Sequence, residues 1–290
     1  MDPLVRRKIL EAGKLGKMAL EYAQSLIEPG SLLLDVAEKT EQFIRENGGL
    51  PSFPLNLSIN NEAAHYTPSP GDTKTFRTGD VVKVDIGAQV EGYISDNAAT
   101  VEVGNQGKYS DLIECSRAAL NSALKVLRPS VEINRIGAAI GETIESFGFK
   151  PVKNLGGHGI KQYDLHSTIF IPNYDDGNRR RIEPNQLIAI EPFASTGIGM
   201  IHNGPGGNIY IFSGTKQKKG DPVIDNFNTL PFAERWLAKI KSDYKEYLKK
   251  NLFMKQISHF AVLKEHRGSM ISQAEHTVLF DGDSVTVTTL

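Results

Sequence analysis

The sequence lacks several features that would indicate a specialised class of protein. It contains one cysteine, which excludes an internal disulfide and is typical of a chain kept in a reducing compartment. No apolar run approaches the length of a membrane span, and the basic N-terminal residues lead into an amphipathic pattern. The formal net charge of −1 gives no electrostatic reason to expect DNA or an anionic membrane as a partner. The composition therefore predicts a globular protein of the cytoplasm.

Two local features that could suggest chemistry have simpler interpretations. Cys115 follows Leu112 by three positions and precedes Ala119 by four, so it lies on the apolar stripe of a predicted helix and is expected in the core. The basic segment of residues 216–219 is more typical of a solvated loop than of a binding surface.

Two aspartates stand in what the pattern predicts to be a β-hairpin. Residues 81–87 and 93–101 are rich in β-branched side chains, and a turn ending at Gly92 separates them. A hairpin centred between residues 90 and 91 places Asp85 directly opposite Asp96, with Cβ atoms about 4.5–5.5 Å apart. Like charges there destabilise a sheet unless a cation lies between them. A solvated hairpin tip is the alternative, but Asp85 is far from the turn, so a metal-binding pair is favoured.

The sequence repeats itself at an offset of 100 residues. Each copy predicts a helix, a break containing proline, a second helix and a glycine stop. Ser31 in the first copy and Asn134 in the second are available as caps of the second helix. The repeat predicts a duplicated α+β half. The matching pairs include Leu20 and Leu120, Ala23 and Ala123, Pro29 and Pro129, Ile44 and Ile144, Gly48 and Gly148, and Pro51 and Pro151.

The repeat extends to two further carboxylates. Glu191 ends an apolar strand as Asp85 does, and Glu275 precedes an apolar strand as Asp96 does. Each half therefore contributes two carboxylates. A pseudo-twofold axis between the halves would bring all four together.

A histidine adds a nitrogen ligand to this set. His158 lies in a glycine-flanked segment that is predicted to be a turn, where glycine lets the backbone approach a neighbour closely. A lone histidine is usually structural, but four carboxylates in the same chain favour a ligand. Such an oxygen-rich set favours two divalent ions, from among Mn, Fe(II), Co and Zn, over a thiolate zinc site. Four negative charges would balance two dications.

An interruption separates the two acidic residues of the second half. Residues 231–252 are predicted to be strongly helical, with apolar side chains at helical spacing. We predict a single catalytic domain over residues 1–290, with residues 207–262 as an inserted helical subdomain.

In these motifs the chain resembles the type II methionine aminopeptidases of the archaeal kind. The resemblance covers essentially residues 1–290 and implies the pita-bread fold of that family. The helical insertion before the last glutamate is the feature that separates type II from type I. The motifs are Ala64-His65-Tyr66-Thr67-Pro68, Val84-Asp85-Ile86-Gly87, Ser95-Asp96, Gly157-His158-Gly159, Ile190-Glu191-Pro192-Phe193 and Gln273-Ala274-Glu275-His276-Thr277.

The resemblance implies a metal-dependent exopeptidase that removes N-terminal methionine from peptides and nascent proteins and prefers a small second residue. It implies that Asp96 and Glu275 bridge two divalent ions, and that Glu191 also shuttles the proton of the attacking water. The implied metal ligands are Asp85, Asp96, His158, Glu191 and Glu275.

The resemblance also implies roles for residues around the metals. His65 would contact the scissile peptide nitrogen, and His166, at nearly the same repeat offset, would stabilise the oxyanion. Phe53, Leu165 and Phe260 match the methionine side-chain pocket, with core packing as the competing explanation. A histidine that eukaryotic members place near this pocket falls around residue 209, which is isoleucine here. A monomer and a contact with the ribosome follow from the family alone.

Two other functions are weighed against this one. Xaa-Pro peptidases share the fold and the type of site but add an N-terminal domain, for which the early start of the repeat leaves no room. A catalytically inactive relative that binds partners or RNA would be expected to lose ligands, whereas all five ligand positions are filled here.

Overall fold

A computed structural model describes residues 1–213 and 220–290. The basic segment 216–219 lies outside the described residues. Among the described residues, no helix combines the length and the apolar composition that crossing a bilayer requires.

The first half of the chain consists of two helices followed by short antiparallel strands. Helix α1 begins at Pro3, and the Oδ1 atom of Asp2 accepts from the N–H groups of Leu4 at 2.7 Å and Val5 at 3.2 Å. The elements are α1 (Pro3–Ser25), α2 (Leu33–Glu46), β1 (Leu50–Pro51), β2 (Asn56–Ile59), β3 (Glu62–Ala64), β4 (Val81–Ile86), β5 (Ala88–Val90), β6 (Tyr93–Ile94) and β7 (Asn97–Glu102).

The second half repeats this order and then contains the interruption. We refer to the described residues between 202 and 264 as the insert. The elements before the insert are α3 (Ser110–Val126), α4 (Ile133–Ser146), β8 (Lys150–Pro151), β9 (Gly156–Lys161), β10 (Asp164–Pro172), β11 (Gln186–Ile190) and β12 (Phe193–Ser195). The insert comprises β13 (His202–Phe212), α5 (Pro222–Phe227), β14 (Phe232–Ala233), α6 (Glu234–Ile240), α7 (Tyr244–Phe253) and β15 (Ile257–Lys264). The last strands are β16 (Ile271–Gln273), β17 (His276–Asp281) and β18 (Ser284–Val287).

The predicted duplication is confirmed by these bounds. Helices α2 and α4 occupy residues 33–46 and 133–146, and the glycines that follow them, Gly48 and Gly148, have φ of 88° and 81°. The first half has the antiparallel strand order β2-β4-β7, and the second has β10-β9-β11-β17-β18, so β4 corresponds to β11 and β7 to β17. Each helix pair packs its apolar side on the sheet of its own half. Cys115 is buried in the core of the second half, as its spacing predicts.

The predicted caps of α2 and α4 are wrong, and the two halves share the same alternative. Neither helix has a side-chain cap. The Leu33 N–H donates to the carbonyl of Lys74 at 3.0 Å, and the Ile133 N–H donates to the carbonyl of Arg180 at 2.9 Å. A loop distant in sequence therefore satisfies the free donors of each helix start, which no local pattern reveals.

The predicted hairpin exists, but its register differs by two residues. Asp85 lies opposite Ala98, not Asp96, and Val90 lies opposite Tyr93. The turn consists of Glu91 and Gly92, whose φ values of 51° and 83° define the two-residue turn that matches strand twist. A turn centred one residue later moves every pair by two positions. Asp96 consequently lies diagonal to Asp85, in the break between β6 and β7.

The insert contains both strands and helices. Its predicted continuous helix is interrupted: residues 232–233 form β14, and residues 241–243 separate α6 from α7. Strands β13 and β15 pair with each other, and β15 also pairs with β3 of the first half in the order β14-β13-β15-β3. The pairing of β15 with β3 thus joins the insert to the first half of the molecule, although more than 100 residues separate these two strands in the sequence.

The duplicated glycine stops offer a test of the repeat. Gly48→Ala and Gly148→Ala would each place an L-residue in the left-handed region, at positions where an added Cβ meets no atom within 4 Å. Each should cost about 1 kcal/mol of unfolding free energy, because the backbone conformation is the sole penalty. Chemical denaturation followed by circular dichroism measures this. Unequal costs, or a double variant that departs from additivity, would contradict equivalent packing of the halves.

Candidate metal centre

Four carboxylates and one imidazole meet at the boundary between the halves. Asp85 lies on β4, Asp96 precedes β7, Glu191 follows β11 and Glu275 precedes β17. His158, on β9, joins them, and all five side chains line one cavity of about 370 Å³. The structure therefore brings together the complete ligand set that the sequence predicts.

The carboxylates nearest to the His158 imidazole are those of Asp96 and Glu191. Ligand atoms of Asp96, His158 and Glu275 all lie within 4.8 Å of one another. The Nε2 atom of His158 lies 3.4 Å from Oδ2 of Asp96 and 3.8 Å from Oε1 of Glu191. The Nδ1 atom of His158 lies 3.3 Å from the Gly159 carbonyl, which requires its proton on that nitrogen and leaves the Nε2 lone pair facing the carboxylates.

Two threonines hold the strands that carry the acidic residues. The Thr277 hydroxyl accepts from the Asp96 N–H at 2.7 Å and donates to the Asp96 carbonyl at 2.6 Å. The Thr100 hydroxyl makes the same pair of bonds with Gln273, at 2.8 and 2.7 Å. Between these clamps, the Glu275 N–H donates to the carbonyl of Ala98 at 2.9 Å. Backbone position at the boundary is thereby determined on both sides.

The electrostatics of the cluster favour neutral carboxyl groups when no cation is near. Burial raises the pKa of Asp96 to about 7, although hydrogen bonds with Asp85 and Asn97 partly oppose it. Burial, followed by the charges of the neighbouring carboxylates, raises the pKa of Asp85, Glu191 and Glu275 well above their ordinary values. Charged carboxylates so close together require a compensating positive charge.

Unpaired oxygens give a direct test of whether the residues fit divalent ions. Buried oxygens of Asp85 (Oδ1), Asp96 (Oδ1) and Glu275 (Oε1) have no hydrogen-bond partner. Buried polar atoms are nearly always paired, and coordination of a cation is one way of pairing them. Together with the free Nε2 lone pair of His158, they form an oxygen-rich set with a single nitrogen, which suits first-row divalent ions. The residues present fit the metals.

His158 lies in a strand, so the predicted turn at this position is wrong. The flanking glycines leave space for the backbones of the neighbouring strands. A Cβ on Gly157 would lie 2.3 Å from the Ala189 carbonyl oxygen, and one on Gly156 would lie 2.4 Å from that of Ile171. Glycine lets β9 approach its neighbours on both sides, as close backbone approach requires. The glycines thus allow β9, which carries His158, to pack closely between β10 and β11.

The two further histidines line the same cavity. The His166 ring centroid lies 4.3 Å from that of His158, and the His65 ring makes an edge contact with Phe260 at 5.1 Å. His65 has a φ of 67°, a left-handed conformation that is uncommon for a non-glycine residue and is concentrated at functional sites. Burial lowers the pKa of His65 and of His158 to about 4. Burial and His158 lower that of His166 as well, although this residue is open to the cavity.

The predicted pocket residues also line the cavity. Phe53, Leu165 and Phe260 are all on its wall, and the first two belong at the same time to a buried apolar cluster between the halves. Ile209 and Pro231 complete the wall from the insert. The family resemblance already placed position 209 near the pocket, but nothing in the sequence pointed to Pro231, which tertiary contact of the insert brings there.

Gln273 is a site residue that the sequence reasoning missed. Its Nε2 lies 3.3 Å from Oε2 of Glu191 and 3.3 Å from Oε2 of Glu275. Its position two residues before Glu275 could have indicated this role, since alternate residues of an extended segment point to the same side. Its amide orients two of the carboxylates.

Comparison with known proteins agrees with this geometry. The model of metallopeptidase family M24 matches residues 7–217. A methionine aminopeptidase of Methanocaldococcus jannaschii is 44% identical over 97% of this chain and 97% of its own length. The chain belongs to metallopeptidase family M24 and, within it, to the methionine aminopeptidases.

Solved structures establish the fold in the same way. A thermophilic Arx1 structure superposes with a TM-score of 0.85 at 16% identity, covering 99% of this chain and 91% of that one. The methionine aminopeptidase structure from Thermotoga maritima gives a TM-score of 0.73 at 24% identity, covering 100% of this chain and 98% of that one. The fold is the α+β pita-bread fold, as the sequence resemblance implies. Family membership makes this chain a metal-dependent aminopeptidase that uses divalent ions.

The raised carboxyl pKa values predict that metal binding releases protons. Near pH 7 the metal-free cluster retains protons, and the ions must displace them, so apparent affinity should rise between about pH 6 and 8. The raised pKa values also mean that the metal-free folded protein binds more protons than the unfolded chain, so its stability falls as pH rises. Removing the metal with a chelator should therefore lower Tm more at pH 8 than at pH 6. Titration calorimetry of chelator-treated protein with Mn²⁺, in buffers of different ionisation enthalpy, counts the protons. Equal heats in all buffers at pH 7 would contradict the prediction.

Proposed function

We propose that this protein removes the N-terminal methionine from peptides and nascent proteins, with a preference for a small second residue. The proposal assigns two divalent ions to one site and treats residues 1–290 as one catalytic domain with residues 207–262 inserted in it. The proposed ligands are Asp85, Asp96, His158, Glu191 and Glu275.

One observation carries the proposal: the five ligand side chains lie in a cavity whose remaining wall is largely apolar. The polar cluster suits the reacting peptide bond and the free amine. The wall formed by Phe53, Leu165, Ile209 and Phe260 suits an unbranched, polarizable side chain such as methionine. Isoleucine at position 209 adds apolar surface where eukaryotic relatives have a histidine.

Bound divalent ions would supply an acidified water and polarise the scissile carbonyl. Glu191 is proposed to accept the proton of that water and to pass it to the leaving amine. Its side chain faces both His158, at 3.8 Å, and the amide of Gln273, at 3.3 Å. Gln273 therefore keeps the carboxylate directed into the cavity.

His65 and His166 are proposed to act as neutral imidazoles on the substrate. The Nδ1 atom of His65 lies 3.3 Å from the Ala261 carbonyl oxygen, which places the proton on Nδ1 and leaves Nε2 as an acceptor. An acceptor is what the N–H of a scissile peptide requires. His166 is proposed to donate to the developing oxyanion, because its ring faces the cavity beside His158.

We further propose that the protein acts in the cytoplasm as a monomer that contacts the ribosome, with neither DNA nor a membrane as partner. These proposals derive from the family and from the composition. Sedimentation of purified protein, alone and with ribosomes, tests the monomer and the contact.

The reaction is tested by free methionine release from a Met-Ala-Ser peptide, with a Gly-Pro peptide in parallel. Chelator-treated protein is supplied separately with Mn, Fe(II), Co and Zn. We expect metal-dependent release from the methionine peptide alone. Cleavage only before proline would indicate an Xaa-Pro peptidase, and no turnover by folded, metal-loaded protein would indicate a binding protein.

The oxyanion role is tested by His166→Ala. Removing one such donor costs on the order of 10²–10³-fold in kcat, and we expect that loss with metal content unchanged. His202→Ala is the matched control, since His202 is exposed on β13 and does not line the cavity. An equal loss in both variants, or wild-type kcat in His166→Ala, would contradict the assignment.

A further inference from the structure

We propose that Arg235, through Thr67, is a positioning residue for His65, and that the insert thereby builds one side of the catalytic site. This inference rests on the proposed role of His65. It assigns a function to a buried ion pair that lies outside the metal centre.

The ion pair joins the insert to the first half of the molecule. Arg235 on α6 pairs with Glu41 on α2, and each residue is 2% exposed. The other Glu41 oxygen accepts from Trp236 Nε1 at 2.6 Å, and the Leu55 N–H donates to Glu41 Oε1 at 3.0 Å. A buried pair with so many hydrogen bonds has one geometry, so the guanidinium is held in place.

The other side of the guanidinium contacts the segment that follows His65. Arg235 Nη1 donates to the Thr67 hydroxyl at 2.7 Å and to the Pro68 carbonyl at 3.3 Å. The same hydroxyl donates to the Leu55 carbonyl at 2.8 Å. Thr67 is 1% exposed and thus connects the ion pair to the backbone two residues from His65.

His65 needs such support because of its backbone. Its φ of 67° costs free energy in a non-glycine residue and persists only where the surroundings determine it. Besides Arg235, the insert supplies Asn208 Nδ2, 3.2 Å from the Thr67 carbonyl, and the Ala261 carbonyl, 3.3 Å from His65 Nδ1. Strands β13 and β15 and helix α6 of the insert therefore all contact residues 65–68.

A second ion pair joins the same two helices, α6 and α2, and is exposed where the Arg235–Glu41 pair is buried. Lys239, also on α6, pairs with Glu38, also on α2, at 2.8 Å. Those side chains are 60% and 41% exposed, whereas the hydrogen bonds from α6 to residues 67 and 68 come from Arg235. A pair of this kind contributes little to stability. The two pairs provide a matched comparison within the same helix contact.

The test uses Thr67→Val, which removes the hydroxyl but leaves the ion pair in place, so that no charge is left buried alone. Thr67→Ser restores the hydroxyl, and Lys239→Met removes the exposed pair. With metal content verified, kcat and KM are measured for the Met-Ala-Ser peptide. We expect Thr67→Val to lower kcat on the order of tenfold or more, since small misplacement of a catalytic group is costly. Thr67→Ser and Lys239→Met should stay within about twofold of wild type.

A double variant separates positioning from a general loss of stability. In a His65→Ala background, Thr67→Val should cause no further loss of kcat, because the group it positions is absent. An additive loss in the double variant, or a wild-type kcat in Thr67→Val, would overturn the inference.

The ring of His65 provides a readout that does not need turnover. Its imidazole resonance, assigned by its absence in His65→Ala, should shift in Thr67→Val and not in Lys239→Met. An unshifted resonance would overturn the inference. If the wild-type protein releases no methionine, the proposed function fails, while the resonance still tests whether Thr67 positions His65.

Discussion

The structure is organised around the repulsion among four carboxylates in one small buried space. Without a cation, burial and mutual charge raise their pKa values, and three of their oxygens have no hydrogen-bond partner. Two dications held by these residues would balance the four negative charges and would give the unpaired oxygens partners. The surrounding elements serve to hold like charges together: the threonine clamps fix the strands, the glycines of β9 admit the imidazole, and Gln273 orients two carboxylates.

Duplication explains how one chain achieves this arrangement. Each half packs two helices on its own sheet and can place two carboxylates at strand ends, but neither half has enough ligands for two ions. The site exists only at the boundary, where Thr277 holds Asp96 and Thr100 holds Gln273 by equivalent pairs of hydrogen bonds. The insert then adds Ile209, Pro231 and Phe260 to the apolar wall that the halves begin, and it contacts the residues around His65.

The sequence predicted the parts of the site that local patterns encode. Strand alternation, helical spacing and the internal repeat predicted that four carboxylates and His158 would meet, that each half has two helices and a glycine stop, and that Cys115 lies in the core. Short segments carry these patterns by themselves. Prediction from the sequence failed where the backbone conformation depends on a neighbouring segment of the chain. The hairpin register depended on which two residues adopt positive φ, and the predicted turn at His158 is a strand because its glycines face other strands. The metal geometry and the roles of individual ligands stay predictions.

Taken alone, the sequence determined a duplicated α+β chain, its order of elements and the residue types of a metal centre, because periodicity and composition act within each segment. Only the tertiary structure decided that Pro231 reaches the cavity, and that the carbonyls of Lys74 and Arg180 accept from the first N–H groups of α2 and α4. The same is true of the contact by which Arg235 supports the residues beside His65. One of these contacts, between Arg235 and Thr67, joins segments 168 residues apart. Their free energy is gained only when the halves and the insert pack, so no local pattern records them.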